Sequence, residues 1–291
     1  MILRTPGREF RFPRRPLVMG IVNINDDSFC GDGTLDPGAA IAQAKQALAD
    51  GADIIDIGAE SARTNRQAIS VDEEARRLES FLLQWPEFLR SLPQPLGDGE
   101  QVWPPLLSIN SWRPEVAARI LPLGGDILND LSALPTGANA EICARHGAAL
   151  LIMHSVGEPK VPHFHVGYED VMRDLITFFR EKIALAQGAG LSPEQIILDP
   201  GIDFAKQRDD NLRIFAQVDR FQEFRRPILL PVSRKTVIGE VLKLPNPQDR
   251  DPGTLACVAA GLRRGVAIFR VHHVKAAAQA IKLLWRIQEP S

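Results

Sequence analysis

Leu17–Phe29 reads LVMGIVNINDDSF, and its first half decides the fold. Leu17, Val18, Met19, Gly20, Ile21 and Val22 are apolar or small, and the run stops at Asn23. A continuous apolar run of this length suits a strand buried on both faces, the kind found in parallel sheets. Asn23 would then stand at the strand's C-terminal lip, where α/β folds place their ligand chemistry. One such stretch alone is better read as a strand followed by an Asn/Asp turn. The pattern, however, recurs along the chain.

Apolar runs at Asp53–Gly58, Leu106–Ile109, Asp126–Leu128, Ala148–Met153, Gln195–Leu198, Pro227–Val232 and Val266–Val271 bring the number to eight. Helical stretches fall between many of them. Asp36-Pro37 offers a cap and a first-turn proline, with Ile41, Ala44, Ala47 and Leu48 on one face and Gly51 as the stop. Ser70-x-x-Glu73 has the spacing of a capping box. Further helices are expected from Pro114, over Tyr168–Gln187 and over Val274–Gln288. Eight alternating units predict a single-domain (β/α)8 TIM barrel rather than an open doubly wound sheet. The first strand carries no GxGxxG, which argues against a dinucleotide-binding domain. Residues 85–105, rich in proline and glycine, read as a surface insertion away from the chemistry.

Composition narrows the function. The chain has 291 residues, 45 % hydrophobic and 24 % charged, with a net charge of −2. That balance gives no general attraction to nucleic acid or to a membrane surface. No apolar run nears the roughly 20 residues of a membrane span, and the basic N-terminus lacks the apolar core of a secretory signal. Cys30, Cys143 and Cys257 are odd in number and widely spaced, which suggests neither a disulfide framework nor a zinc site. A cytoplasmic protein is expected.

The strand ends are Asn23, the Glu60–Arg66 loop, Asn110, Asn129, His154, Asp199, Ser233–Lys235 and Arg270 with His272. A barrel brings all of them to one mouth. Asn129, Asp199 and Lys235 suit a flat heterocycle with amide and amino edges. Arg63, Arg270 and His272 suit phosphate, and Asn23 offers a neutral oxygen to Mg²⁺. Each has a plainer alternative: Arg270 paired to a neighbour, Asp199 setting an Asp-Pro-Gly turn, and each histidine satisfied in the interior. The residues by themselves specify a site for a small phosphate-bearing molecule.

Several segments go further. VMGIVNINDDSF resembles the first signature of the dihydropteroate synthase family, and DIIDIGAESAR resembles its second. GGDILNDLSA, LIMH, ILDPGIDFAK, PVSRKTVIG and GTLACVAAGLRRGVAIFRVHHV continue the match in order over nearly the whole chain. The resemblance implies a barrel, usually dimeric, that joins a hydroxymethyl-dihydropterin diphosphate to p-aminobenzoate. It implies that Asn23 ligates Mg²⁺, that Asn129, Asp199 and Lys235 grip the pterin, and that Arg270 and His272 bind the diphosphate. Arg63 and Ser61 would belong to one loop over the site, and Asp27, Ser28 and Phe29 to another. Met153 and Phe204 would wall the pterin and aminobenzoate pockets. Ser233, Arg234 and Thr236 would complete the substrate contacts, Thr236 standing where the family usually has serine.

Some positions depart from the family pattern. Asn110 replaces an aspartate, Ala62 a threonine, Thr64-Asn65 a Pro-Gly pair, and Asn25-Asp26 a Thr-Pro pair. They fall where catalysis, more than pterin binding, is decided. A working synthase with a slowed chemical step is the leading expectation. A pterin-binding paralog without this turnover and a methyltetrahydrofolate-binding methyltransferase are the alternatives.

Overall fold

The computed structural model describes residues 1–26, 31, 33–61, 67–92, 100–161 and 166–288. An antiparallel hairpin, β1 (Ile2–Thr5) and β2 (Arg8–Arg11), precedes the main sheet. Eight strands then run parallel: β3 (Leu17–Asn23), β4 (Ile54–Gly58), β5 (Leu106–Asn110), β6 (Ile127–Asp130), β7 (Ala149–Met153), β8 (Ile196–Asp199), β9 (Leu229–Leu230) and β10 (Ile268–Val271). Seven neighbouring pairs form the ladder β8-β7-β6-β5-β4-β3-β10-β9. A single bridge, Leu198 with Ile228, joins its two ends into a nearly closed barrel. The expected (β/α)8 architecture is the one observed.

Ten α-helices are described: α1 (Pro37–Ala49), α2 (Val71–Leu82), α3 (Trp85–Ser91), α4 (Pro114–Ile120), α5 (Ala138–His146), α6 (Val171–Gly188), α7 (Arg208–Gln217), α8 (Thr236–Leu242), α9 (Asp251–Arg263) and α10 (Val274–Gln288). Asp36 caps α1, accepting from Gly38 N at 3.0 Å. Only half of the box at α2 forms. Ser70 Oγ accepts from Glu73 N at 3.1 Å, but the Glu73 carboxylate turns to Arg76 and Arg77. No helix among the described residues is long and apolar enough to cross a membrane.

Period-two alternation sorts each strand between two cores. Val18, Val22, Ile55, Ile57, Leu107, Ile109, Leu128, Leu150 and Ile152 face the helices. Leu17, Met19, Ile54, Leu106, Ile127, Leu151, Ile197 and Ile268 fill the lower barrel. Leu3 and Phe10 of the hairpin, with Phe12, pack into that lower core and close the end opposite the strand tips. The sequence reading passed over this hairpin because its strands are only four residues long. Higher up, the same inward register carries Asn23, Asp56, Asn110, Asn129, Asp199 and Arg270.

The expected surface insertion at 85–105 needs correction over its described part. Trp85–Ser91 is helical, and the Trp85 ring stacks near Phe81 at 5.4 Å between centroids. Gln101 and Val102 are buried: Gln101 Nε2 donates to Leu48 O, and Val102 N donates to Asp53 Oδ1 at 2.9 Å. Asp53 also accepts Arg15 at 2.8 Å and Val18 N at 2.8 Å. These residues are therefore bonded in beneath the barrel, at the start of β3 and β4.

Candidate active site

A cavity of about 270 Å³ opens at the C-terminal ends of the strands. Its walls are the inward residues that the alternation delivers: Asn23 from β3, Asn110 from β5, Asn129 from β6, Met153 from β7, Asp199 from β8 and Arg270 from β10. The loops beyond add Ser61, Phe204, Ser233, Lys235, Thr236 and His272. Twelve residues singled out from the sequence thus line one cavity. Asp27, Ser28, Phe29, Ala62 and Arg63 lie outside the described residues.

One expectation changes and one holds. Arg234 was grouped with the substrate contacts, yet it does not line the cavity. Its Nε and Nη2 make a paired bridge to Asp251 at 2.8 and 3.0 Å, and its left-handed backbone (φ 57°) turns it away from Ser233. His154 follows the plainer of its two readings. It is buried behind the wall, edge-on to Phe178 at 4.7 Å, with Nδ1 2.9 Å from Lys206 Nζ.

The residue that the sequence reading missed is Asp56, fully buried in the middle of β4. Its carboxylate accepts from Arg270 Nε at 2.7 Å, Ser108 Oγ at 2.6 Å and Asn129 Nδ2 at 3.2 Å. A carboxylate inside a barrel is tolerated only when its lone pairs are met this fully. The signal was available: Asp56 sits two residues before Gly58, on the inward register, in an otherwise apolar strand.

This network fixes what the cavity presents. Asn129 spends its amide N–H on Asp56, so its Oδ1 is turned away, buried and without a hydrogen-bond partner among the described residues. Asn110 Oδ1 is in the same condition. A buried acceptor left unmet costs free energy, and a ligand N–H recovers it. Asp199 adds a third acceptor. Its Oδ1 takes Gly201 N at 2.7 Å, and burial raises its pKa to about 6 against the lowering effect of that bond and of Lys235, Lys206 and Arg270. Gly201 is the only residue type its turn admits, since φ is 68° and a Cβ would meet His154 O at 1.9 Å.

Cations stand opposite. Lys235 Nζ donates to Ile202 O at 2.9 Å and lies 5.0 Å from the Phe204 ring centre, and burial lowers its pKa. His272 is held by Ser233 Oγ, 2.9 Å from Nδ1 and 3.1 Å from the backbone N. The cavity therefore combines acceptors for a donor-edged ring with cationic groups for an anion. The described residues contain no group of three or more His, Cys, Asp or Glu that could hold a metal ion by itself.

Comparison with known proteins agrees with this geometry. The family described as "Pterin binding enzyme" matches residues 19–272. A dihydropteroate synthase of Synechocystis sp. is 36 % identical over 286 residues, covering 95 % of this chain and 93 % of the relative. The Yersinia pestis dihydropteroate synthase, solved with a sulfonamide drug complex, superposes with a TM-score of 0.87 at 30 % identity, covering 99 % of each chain. The Xanthomonas albilineans dihydropteroate synthase in complex with 7,8-dihydropteroate gives 0.81 at 30 % identity, covering 99 % of this chain and 100 % of that one.

Proposed function

The chain belongs to the dihydropteroate synthase family of pterin-binding enzymes, and from that premise we propose how its barrel mouth condenses 6-hydroxymethyl-7,8-dihydropterin diphosphate with p-aminobenzoate. One observation carries the reading. Two orphaned amide oxygens and the Asp199 carboxylate line the same cavity as Arg270 and His272. The pterin's amide and amino edge supplies donors for the first three, and its diphosphate supplies the anion for the last two. Met153 packs against the ring.

In the reaction the C–O bond between the pterin's exocyclic methylene and the diphosphate breaks. The arylamine nitrogen forms the new C–N bond and gives up a proton. Arg270 and His272 stabilise charge as it accumulates on the leaving diphosphate, and Arg63, which follows β4 in sequence, would join them. Phe204, with Lys235 beside it, walls the aminobenzoate side, and Thr236 offers a hydroxyl there. The donor set fits Mg²⁺ held jointly with substrate: Asn23 gives one neutral oxygen, and this ion takes its other ligands from waters and phosphates. When bound, the ion would supply further positive charge to the diphosphate.

Asn110 places a neutral amide where the family pattern has a carboxylate, and we read it as slowing the chemical step while leaving the pterin site intact. The two alternatives, a paralog without this turnover and a methyltetrahydrofolate methyltransferase, are not favoured. The curated relatives are synthases, and a methyltransferase would have no use for the cationic Arg270–His272 side. A cytoplasmic homodimer completes the proposal. Exposed Val241 and Leu242 on α8, and Leu283 and Ile287 on α10, offer apolar surface to a second copy, and sedimentation of the purified protein tests this.

The decisive assay incubates the purified protein with both substrates and Mg²⁺. Dihydropteroate and diphosphate should appear in equal amounts. Failure to form dihydropteroate under saturating conditions would reject the assignment.

A further inference from the structure

The segment from Asp199 to Lys206 carries much of the site. Asp199 accepts for the pterin, Ile202 O holds Lys235 Nζ, and Phe204 stands against Lys235. It does so in an unfavourable conformation. Gly201, Asp203 and Ala205 all lie in the left-handed region, at φ 68°, 68° and 50°. Aspartate adopts this region at little cost, but for Ala205 it is a strained backbone, which persists only where surrounding bonds over-determine it.

Asn211 Oδ1 accepts from Asp203 N at 2.9 Å, Tyr168 Oη donates to Ala205 O at 3.0 Å, and Lys206 bonds the carbonyls on either side of Asp203. The Lys206 side chain is buried, at 9 % exposure, and does not line the cavity. Nζ donates to Gly201 O at 3.0 Å and to Phe204 O at 2.9 Å, and it lies 2.9 Å from His154 Nδ1. In its charged form Lys206 meets three acceptors with three protons, although burial lowers its pKa to about 7. Burial among Phe178 and Tyr168, with Lys206 beside it, keeps His154 neutral, so Nδ1 can accept. An apolar side chain would fill this space without the cost of burying an ammonium. It would also leave Phe204 O without the bond that Lys206 supplies, so the lysine fixes this loop as well as filling the space.

We propose that Lys206 is a positioning residue for the arylamine. By holding the carbonyls at both ends of Gly201–Phe204, it sets where the Phe204 ring stands against Lys235, and so sets the affinity for p-aminobenzoate. The inference rests on the reading of Phe204 as a wall of the aminobenzoate pocket. Asp199 depends on this anchor less for its position, because its own strand pairs with Met153 of β7 and its Oδ1 holds Gly201 N directly; the Lys206 charge does lower its pKa, so the kinetics are run well above pH 6, where the carboxyl stays ionised.

The test is steady-state kinetics of the full-length protein and of Lys206→Met, with each substrate varied in turn. We expect the Michaelis constant for p-aminobenzoate to rise about tenfold or more, while kcat and the constant for the pterin diphosphate change less than about threefold. A purely structural lysine would lower the amount of active enzyme without splitting the two constants. Unchanged constants, or equal shifts in both, would overturn the inference. If Lys206→Met fails to fold, His154→Leu removes one of the three acceptors, leaves the ammonium in place, and is judged by the same split. A wild type that makes no dihydropteroate would overturn the reading of the site, and this inference with it. A working wild type whose variants show no split overturns the inference alone.

Discussion

Arg270 of β10 and Asp56 of β4 meet inside the barrel over the strand between them, β3, with the guanidinium Nε donating at 2.7 Å to Oδ2 of a carboxylate that water does not reach. The pair joins the anion side of the cavity to its pterin side, because the same carboxylate holds Asn129 and Ser108. One residue thus orients a diphosphate-binding cation and a ring-binding amide together.

Asp56→Ala should be among the most damaging single changes in the protein. It strands a partly buried guanidinium and two buried donors at once, and breaking a buried pair costs about 3–5 kcal/mol. Urea denaturation of the variant should show a loss in that range. A loss under about 1 kcal/mol would mean that solvent or other groups take over the three donors.

Arg270→Gln separates the two ligand halves. Glutamine keeps an N–H for Asp56 but loses the charge that faces the diphosphate. Hydrogen bonds to charged groups are worth about 1.5–3 kcal/mol, so the pterin diphosphate should bind about ten- to a hundredfold more weakly. The bare pterin should lose much less. Calorimetry with both ligands decides, and equal losses would make Arg270 a structural partner of Asp56 only.

Burial raises the Asp199 carboxyl from 3.8 to about 6 in the unliganded chain. Because the folded value lies above the unfolded one, the carboxyl's contribution to folding is full below about pH 4 and falls as pH rises towards 6. Pterin binding works in the opposite sense, since ring N–H donors favour the carboxylate. Affinity for the bare pterin should therefore be about tenfold lower at pH 5 than on its plateau above about pH 7, one pKa unit being a factor of ten. Titrations at pH 5.5 in buffers of different ionisation enthalpy should show a proton released on binding. A heat independent of buffer there would contradict the assignment.

How much of this the sequence disclosed follows from two periodicities. The barrel was legible because strands buried on both faces leave continuous apolar runs, such as Leu17–Val22 and Ala148–Met153, that stop at polar residues. Most of the site was legible for the same reason, since Asn23, Asn129, Asp199 and Arg270 mark where those runs end or break. Asp56 escaped because it lies inside a run, where only its inward register gives it a function. Lys206 escaped because it acts through carbonyl groups close in sequence rather than at the cavity wall. Arg234 misled because its two neighbours, Ser233 and Lys235, do line the cavity, while its own left-handed backbone points it to Asp251. The β1–β2 hairpin is too short to stand out beside loop sequence, although it closes the lower barrel.

The most informative change concerns Asn110. Its side chain lies opposite Gly58 and Asn129 in the strand register, is only 6 % exposed, and has a carbonyl oxygen that no donor among the described residues meets. As the diphosphate leaves, positive charge spreads over the pterin, and a carboxylate at this position would interact with it more strongly than an amide. Two unit charges about 4 Å apart interact by about 4 kcal/mol at an effective dielectric near 20, and the desolvation of a buried carboxylate offsets part of that. Asparagine and aspartate are nearly isosteric, so packing should survive the exchange. Asn110→Asp should raise kcat about ten- to a hundredfold, equivalent to about 1.4–2.8 kcal/mol of transition-state stabilisation. The Michaelis constant for the pterin diphosphate should move much less, because the cation develops only as the bond breaks. Steady-state dihydropteroate synthesis by both proteins at saturating Mg²⁺ measures this. An active wild type that Asn110→Asp leaves unchanged or slows would show that the cation draws its stabilisation from elsewhere, and would return attention to Ala62 and the loop after β4.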